Sequence, residues 1–248
     1  MLHNSLKKFG SYAHLMGRTF SRPDRWKEFL KCYIDEIYKL GVNSIPIVII
    51  ISLFIGAVIA IQMQLNIVSP LLPKYTVGVA TREIILLEFS STMLALILSG
   101  KVGSNIASEI GAMRVTEQID ALEIMGINSA NYIILPKIAG MVTFMPVLVI
   151  FSMATGILGG YAIAVLTGII SISVLTYGIQ AFFNEFYIWY ALFKSLFFAF
   201  IISSIASFYG YTVKGGSLQV GKASTNAVVV SSVMILLIDV IITQIMMG

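Results

Sequence analysis

Three ionisable side chains interrupt the apolar stretches of this sequence: Glu88, Lys194 and Asp239. Charged groups are costly inside a bilayer, and those that occur there commonly pair with one another, relay protons or line a substrate path. Counted from the predicted cytoplasmic edges of their helices, they lie fifteen or sixteen residues deep, or about 22–24 Å at 1.5 Å per residue. This common depth predicts a buried network of one ammonium and two carboxylates.

Each member of this network has an alternative explanation. Lys194 follows Tyr190 by one helical turn, so its long side chain could extend to the outer membrane interface instead. Glu88 and Asp239 could make structural polar contacts between packed helices. The sequence alone leaves both explanations open.

A second unusual stretch, "SEIGAMRVTEQIDALEIMG" at positions 108–126, carries five charged side chains. It belongs to a connection of about thirty-five residues, longer than neighbouring spans require. Helical spacing predicts one short helix, with Gly126 as the residue just past its end. One predicted face of this helix carries Ala112, Val115, Ile119 and Leu122. The opposite face carries Met113, Glu117, Asp120 and Ile124. Such a helix can rest on the membrane domain and offer its other face to a cytoplasmic protein, although a plain structural loop helix is the alternative.

Composition identifies the elements that must position these residues. The 248-residue chain is 58% hydrophobic and 11% charged, with mean hydropathy +0.92, which indicates an all-α integral membrane protein. Its single cysteine and two histidines provide neither a disulfide nor a metal site, and no catalytic constellation is recognisable. Five spans are predicted, at Ile45–Leu65, Val77–Gly100, Ile138–Leu166, Phe186–Tyr209 and Ala227–Met247.

Smaller features complete the predicted architecture. The third apolar run is too long for one perpendicular helix, and Gly156, Gly159 and Gly160 suggest that it tilts or breaks near its end. Positions 171–185 then form a short external hairpin. Within an N-terminal region at 1–40, the segment from Trp26 to Tyr38 is predicted to be an amphipathic helix at the membrane interface, with packing on a soluble partner as the alternative.

Basic residues set the expected orientation. Eight of the sixteen lysines and arginines lie in the first forty residues, and others cluster in the connections between spans two and three and between spans four and five. The positive-inside rule therefore predicts a cytoplasmic N-terminus and an external C-terminus. The net charge of +4 fits contact with anionic lipids and does not call for nucleic acid.

The segments "KVGSNIASEIGAMR", "EIGAMRVTEQIDALEIMG", "YIILPKIAG" and "GGSLQVGKASTNAVVVSSVMILLIDVIITQIM" resemble the signature of the MlaE family of ABC-transporter permeases. The resemblance begins at about Gly41 and implies a permease domain over 41–248 in a bacterial inner membrane, with the C-terminus in the periplasm. It also implies a homodimer that binds a cytoplasmic ABC ATPase, with ATP and Mg²⁺ held by that partner. An external MCE-domain lipid-binding protein completes the implied system, whose cargo is phospholipid or, in some relatives, another lipid moved between inner and outer membranes.

The resemblance also assigns roles to residues. The helix at 108–126 becomes the ATPase-coupling helix, with contact residues Glu109, Met113, Arg114, Glu117, Gln118, Asp120, Ala121 and Ile124. The three intramembrane charges become part of the lipid path, and the lipid pocket is expected near the dimer axis between spans one, two and five. Gly56 and Ala60 would allow close helix approach in span one. The resemblance would place an arginine immediately before the glutamate, where this chain has Leu87, so an ion pair through that arginine is not expected here.

Two other functions could be read from the sequence: nucleotide binding by this chain and proton-coupled transport without an ATPase. "GGSLQVGKAS" approaches the phosphate-binding loop pattern, but it joins two predicted spans and lacks the preceding strand that the pattern requires. From a different functional class, a stand-alone proton-coupled secondary transporter of a hydrophobic substrate could use Glu88 and Asp239 as relays. That carrier would work without an ATPase and would not need the long cytoplasmic helix.

Overall fold

The computed structural model describes residues 2–21, 26–67 and 73–248. Within these residues the regular structure is helical, and five helical runs are long and apolar enough to cross a membrane. The prediction of a five-span all-α membrane protein is confirmed. The runs are Trp26–Asn66, Thr76–Val115, Ser129–Thr167, Phe186–Tyr211 and Ser217–Met247.

Some runs combine several helical elements. The α-helices are α1 (Leu2–Thr19), α2 (Trp26–Glu36), α3 (Ile45–Asn66), α4 (Thr76–Ile84), α5 (Leu94–Leu98), α6 (Ser104–Val115), α7 (Gln118–Ile124), α8 (Ser129–Thr167), α9 (Ile172–Gln180), α10 (Phe186–Tyr211) and α11 (Ser217–Met247). Wider π-helical segments at Ile37–Gly41, Ile85–Met93 and Ser99–Gly103 and a 3₁₀ turn at Val42–Ser44 join α2 to α3 and α4 to α6. The second span thus continues past the predicted Gly100 as one helical run.

The N-terminal region holds two helices where the sequence predicts one. Helix α1 packs on α10, where the Tyr12 hydroxyl donates to Ser204 at 2.9 Å and the Tyr12 ring meets Phe208 edge to face. Helix α2 forms over the predicted amphipathic segment, and Trp26 and Ile34 remain exposed on its outer side. Its interfacial position stays a prediction, as does the domain boundary at 40/41, which falls inside the π segment that leads to α3.

Helices α3 and α8 approach each other through glycine. A Cβ atom on Gly56 would lie 1.9 Å from the carbonyl oxygen of Gly156, and one on Gly159 would lie 2.0 Å from that of Leu53. Helix α8 runs unbroken to Thr167, so the break considered near its end is not observed. Its glycines instead remove the side chains that would hold the two helices apart.

The loop between α8 and α10 is fixed by a buried arginine. The predicted hairpin contains a helix, α9, which packs on α4 and leaves its last carbonyl groups without helical partners. The Arg82 guanidinium donates to the carbonyl oxygens of Ile179 at 2.8 Å and Ala181 at 2.7 Å. This contact satisfies the end of α9 and attaches the loop to the second span.

Candidate functional site

Glu88, Lys194 and Asp239 meet at one place in the bundle. The Lys194 Nζ lies 2.5 Å from an Asp239 oxygen and 3.4 Å from a Glu88 oxygen. The lysine side chain is fully buried, whereas that of Glu88 is 46% exposed in the single chain. The predicted network therefore forms, and Lys194 does not extend to the interface.

Three hydroxyl groups complete this intramembrane cluster. The sequence analysis missed Thr92 and Thr243, and it placed Tyr190 near Lys194 without predicting the contact. The Thr92 hydroxyl lies 3.2 Å from a Glu88 oxygen and 3.0 Å from an Asp239 oxygen, so its one proton is donated to either carboxylate. Lys194 donates to the Tyr190 hydroxyl at 3.0 Å and also reaches Thr243 at 3.4 Å. Thr92 and Tyr190 lie one turn from Glu88 and Lys194, so i to i+4 spacing is the signal that would have found them.

The backbone and charge of the cluster have two distinctive features. Glu88 lies in the π segment Ile85–Met93, and π segments within α-helices occur frequently at functional sites. With the uncharged Leu87 beside Glu88, the cluster holds one cation, Lys194, against two carboxylates. Hydroxyl donation from Thr92 therefore contributes to compensating the second carboxylate.

The predicted single helix over 108–126 is wrong. Helix α6 continues the second span to Val115, and Glu117 then adopts a left-handed conformation at φ 60°, after which α7 begins in a new direction. For a residue other than glycine this conformation costs about 1–2 kcal/mol. The Arg114 to Asp120 ion pair at 2.5 Å spans the break, and burial of Ile119 anchors α7 on the protein.

The end of α7 agrees with the sequence. Gly126 has φ 76°. Its N–H donates to the backbone carbonyl oxygen of Glu123, and the N–H of Ile127 donates to the backbone carbonyl oxygen of Leu122. This hydrogen-bond pattern is the Schellman motif, which needs a left-handed residue and therefore favours glycine. The predicted termination at Gly126 is confirmed.

The break rearranges the predicted faces of the coupling segment. Ala112 is exposed and Met113 packs against the core, opposite to the single-helix prediction. The outward surface of α7 is apolar at its end, where Ile124 is 87% and Met125 65% exposed. We call this surface the α7 face; its exposed residues are Glu117, Gln118, Ala121, Ile124 and Met125.

Glu109 lies apart from the α7 face. Its carboxylate accepts a hydrogen bond at 2.7 Å from Lys137, which also donates to Glu36 of α2 at 2.7 Å. Lys137 is almost fully buried, and Lys39 approaches Glu109 at 3.9 Å. This ion cluster joins α2, α6 and α8, so the structure gives Glu109 a bridging position; a contact with an ATPase stays a prediction.

A further link, missed in the sequence, connects α7 to α1. The Glu123 carboxylate accepts hydrogen bonds from Arg18 at 2.8 Å, Ser129 at 2.8 Å and Tyr211 at 2.9 Å. These three donors lower the pKa of Glu123 from 4.5 to about 2. The end of α1 is held beside this link by Asn131, whose amide donates to the Thr19 carbonyl oxygen at 2.8 Å.

Comparison with known proteins identifies the family. The sequence profile described as Permease MlaE matches residues 33–245. The chain belongs to the MlaE permease family. It is 32% identical over 235 residues to the intermembrane phospholipid transport system permease protein MlaE of Haemophilus influenzae. This match covers 94% of this chain and 89% of that protein. It is also 31% identical to a probable ABC transporter permease protein of Rickettsia bellii, over 98% of this chain and 92% of that one.

The MlaE match includes both the intramembrane cluster and α7, whereas α1 lies before it. Within one chain α3 packs mainly on α8 and α4, while α11 packs on α10 and α6. The pocket expected between spans one, two and five of an MlaE permease stays a prediction. The "GGSLQVGKAS" stretch forms the turn into α11, with Gly221 and Lys222 inside the helix.

Proposed function

We propose that this membrane permease subunit moves phospholipid or a related lipid between the inner and outer membranes, driven by a separate cytoplasmic ABC ATPase. The observation that carries the proposal is the α7 face. Its apolar end, Ile124 and Met125, is exposed in the single chain, and it lies within the segment that resembles the family signature. The name of the Haemophilus influenzae relative, an intermembrane phospholipid transport system permease protein, supports phospholipid as the cargo. ATP and Mg²⁺ would bind the partner ATPase, and this chain would act as the transporter subunit.

The α7 face fits the role of a force-receiving contact. Ile119 holds α7 on the membrane domain, and the left-handed residue Glu117 separates α7 from the long helical run of the second span. Motion of a docked ATPase would reach the domain through the buried Ile119 and through two carboxylates near the ends of α7. Asp120 pairs with Arg114 on α6, and Glu123 is held by partners on α1, α8 and α10. A short helix with a rigid attachment at each end can transmit such a displacement.

The intramembrane cluster supports a polar section of the lipid path. Glu88 is half exposed in the single chain, and a carboxylate at this depth is costly against lipid tails. We infer that Glu88 faces a hydrated cavity enclosed by two copies of the chain, so that the permease works as a homodimer. An MCE-domain protein on the periplasmic side would exchange lipid with this cavity.

The proposed orientation places the N-terminus in the cytoplasm and the C-terminus in the periplasm of a bacterial inner membrane. Helix α7 and the lysine-rich N-terminal region then lie on the same side, as the distribution of basic residues requires. The ATPase would bind on this side.

Ile124→Asp tests the ATPase contact. Ile124 is 87% exposed, so the isolated permease should keep its stability, whereas lost burial of isoleucine against an ATPase costs about 1.5–3 kcal/mol, or about 10- to 150-fold in affinity. The measurement is the amount of ATPase that copurifies with the permease in mild detergent, together with ATP-driven lipid transfer between vesicles.

Leu218→Asp is the matched control, because Leu218 is 72% exposed on the same side of the membrane but lies on α11. Loss of ATPase with Ile124→Asp alone supports the proposed contact, and equal retention in both variants contradicts it. A permease that transports lipid with no copurifying ATPase would instead favour the proton-coupled carrier.

A further inference from the structure

A lysine-rich cleft lies between α1 and the turn that joins α10 to α11. Its volume is 570 Å³. Basic, polar and aromatic side chains from three helices and a turn line it, among them Lys7, Lys8, Phe208, Lys214, Lys222 and Asn226.

The positive charge of this cleft is uncompensated within the described residues. No aspartate or glutamate lines the cleft, and Lys7, Lys8, Lys214 and Lys222 make none of the ion pairs found in the described parts of the chain. By contrast, Lys137 and Lys194 are both paired with carboxylates. Four unpaired lysines around one cavity attract an anion.

The cleft lies at the depth of lipid headgroups. Helix α11 begins with a mainly polar section from Ser217 to Asn226 and becomes apolar from Ala227, so its first turns lie outside the hydrocarbon. Tyr209 lines the cleft near the end of α10, where aromatic side chains mark the interface.

We propose that this cleft binds the phosphate of an anionic phospholipid headgroup, with the acyl chains alongside α10 and α11. Lys214 and Lys222 approach the phosphate from the α11 side, and Lys7 and Lys8 approach from α1. Basic pockets between membrane helices at the cytoplasmic surface bind such headgroups. The site goes beyond the proposed transport, because it lies at the end of the bundle and contains no member of the intramembrane cluster.

The test is lipid retention by the full-length protein in detergent, measured by native mass spectrometry with phosphatidylglycerol or phosphatidylcholine. Lys214→Gln with Lys222→Gln should weaken phosphatidylglycerol binding by about 30-fold, since each lysine near an anionic surface contributes about fivefold. Lys27→Gln with Lys31→Gln on α2 removes the same charge from an exposed surface and should leave binding within about twofold of wild type. Equal losses in the two double variants would overturn the proposal.

Further arms identify the source of the phosphate. Inorganic phosphate that displaces phosphatidylglycerol at equal concentration would overturn the lipid assignment, whereas failure to displace it supports a headgroup held also by its acyl chains. If Lys214→Gln with Lys222→Gln retained the lipid but lost a copurifying ATPase, the cleft would be a protein contact and the proposal would be wrong. Retention is measured without ATP, so its outcome is independent of the transport proposal.

Discussion

Removal of the Lys194 charge is the sharpest test of the intramembrane cluster. Lys194→Met keeps the length of the side chain but leaves Asp239, at 2.5 Å, and Glu88, at 3.4 Å, without their shared cation. The two carboxylates would then share only the Thr92 hydroxyl, which lies 3.0 Å from one and 3.2 Å from the other.

The magnitude follows from burial. Lys194 is fully buried and the Asp239 side chain is 15% exposed, and breaking such a pair from one side costs about 3–5 kcal/mol of the free energy of unfolding. For a chain of this size each kcal/mol shifts the unfolding temperature by about 2–4 °C. We therefore expect a decrease of about 6–20 °C in detergent. Lys31→Met, an exposed lysine on α2, should shift it by less than about 2 °C.

A second substitution separates lost charge balance from lost packing. Asp239→Asn in the Lys194→Met background removes the uncompensated carboxylate and should recover more than half of the lost stability. The reason is that replacing both members of a buried ion pair by uncharged side chains changes the free energy of unfolding little. The assay is thermal unfolding followed by intrinsic fluorescence. An unchanged unfolding temperature in Lys194→Met, or a double variant less stable than the single one, would refute the reasoning.

Three other predictions concern the path, the α1 link and the helix contact. Glu88→Gln leaves the pair of Lys194 and Asp239 intact, so lipid transport should fall at least tenfold while the unfolding temperature stays within about 4 °C; normal transport would remove Glu88 from the path. Glu123→Gln should speed amide hydrogen exchange in residues 8–21 about fivefold at pH 7, because the ion pair of Arg18 with Glu123, about 40% exposed, contributes about 1 kcal/mol. In the wild-type protein this stabilisation by the Glu123 carboxylate is complete above pH 4.5, and it is lost as the pH falls towards 2. Gly56→Ala forces α3 from α8 and should destabilise by about 1–3 kcal/mol or more, whereas Gly100→Ala, with nothing within 4 Å of its added Cβ, should be neutral in the same thermal assay.

The accuracy of the sequence predictions depended on the range of the interactions involved. The five spans follow from the length of each apolar run, because a helix must satisfy its own backbone to cross a bilayer. The meeting of Glu88, Lys194 and Asp239 was predictable for a related reason. The three side chains lie at equal depth, and charged groups are so unfavourable in lipid that pairing with one another lowers their free energy. Gly126 carried a local signal for a left-handed helix end.

The break at Glu117 carried no such signal. A glutamate seldom adopts a left-handed conformation, and tertiary contacts such as the burial of Ile119 and the Arg114 to Asp120 pair contribute to offsetting its cost here. The exchange of exposure between Ala112 and Met113 follows from this break. A helical wheel assumes one continuous helix, so it could not predict either result.

The sequence by itself determined the class of protein, the number of spans and the three charges that must meet between them, because bilayer thickness and the cost of buried charge act on every such chain alike. Only the tertiary structure decided how α7 is attached. Arg18 contacts Glu123 across 105 positions of sequence, and Lys137 contacts Glu36 across 101. Sequence alone does not specify such pairs, because many charged residues of opposite sign are available and only the packing of the helices decides which two come within bonding distance.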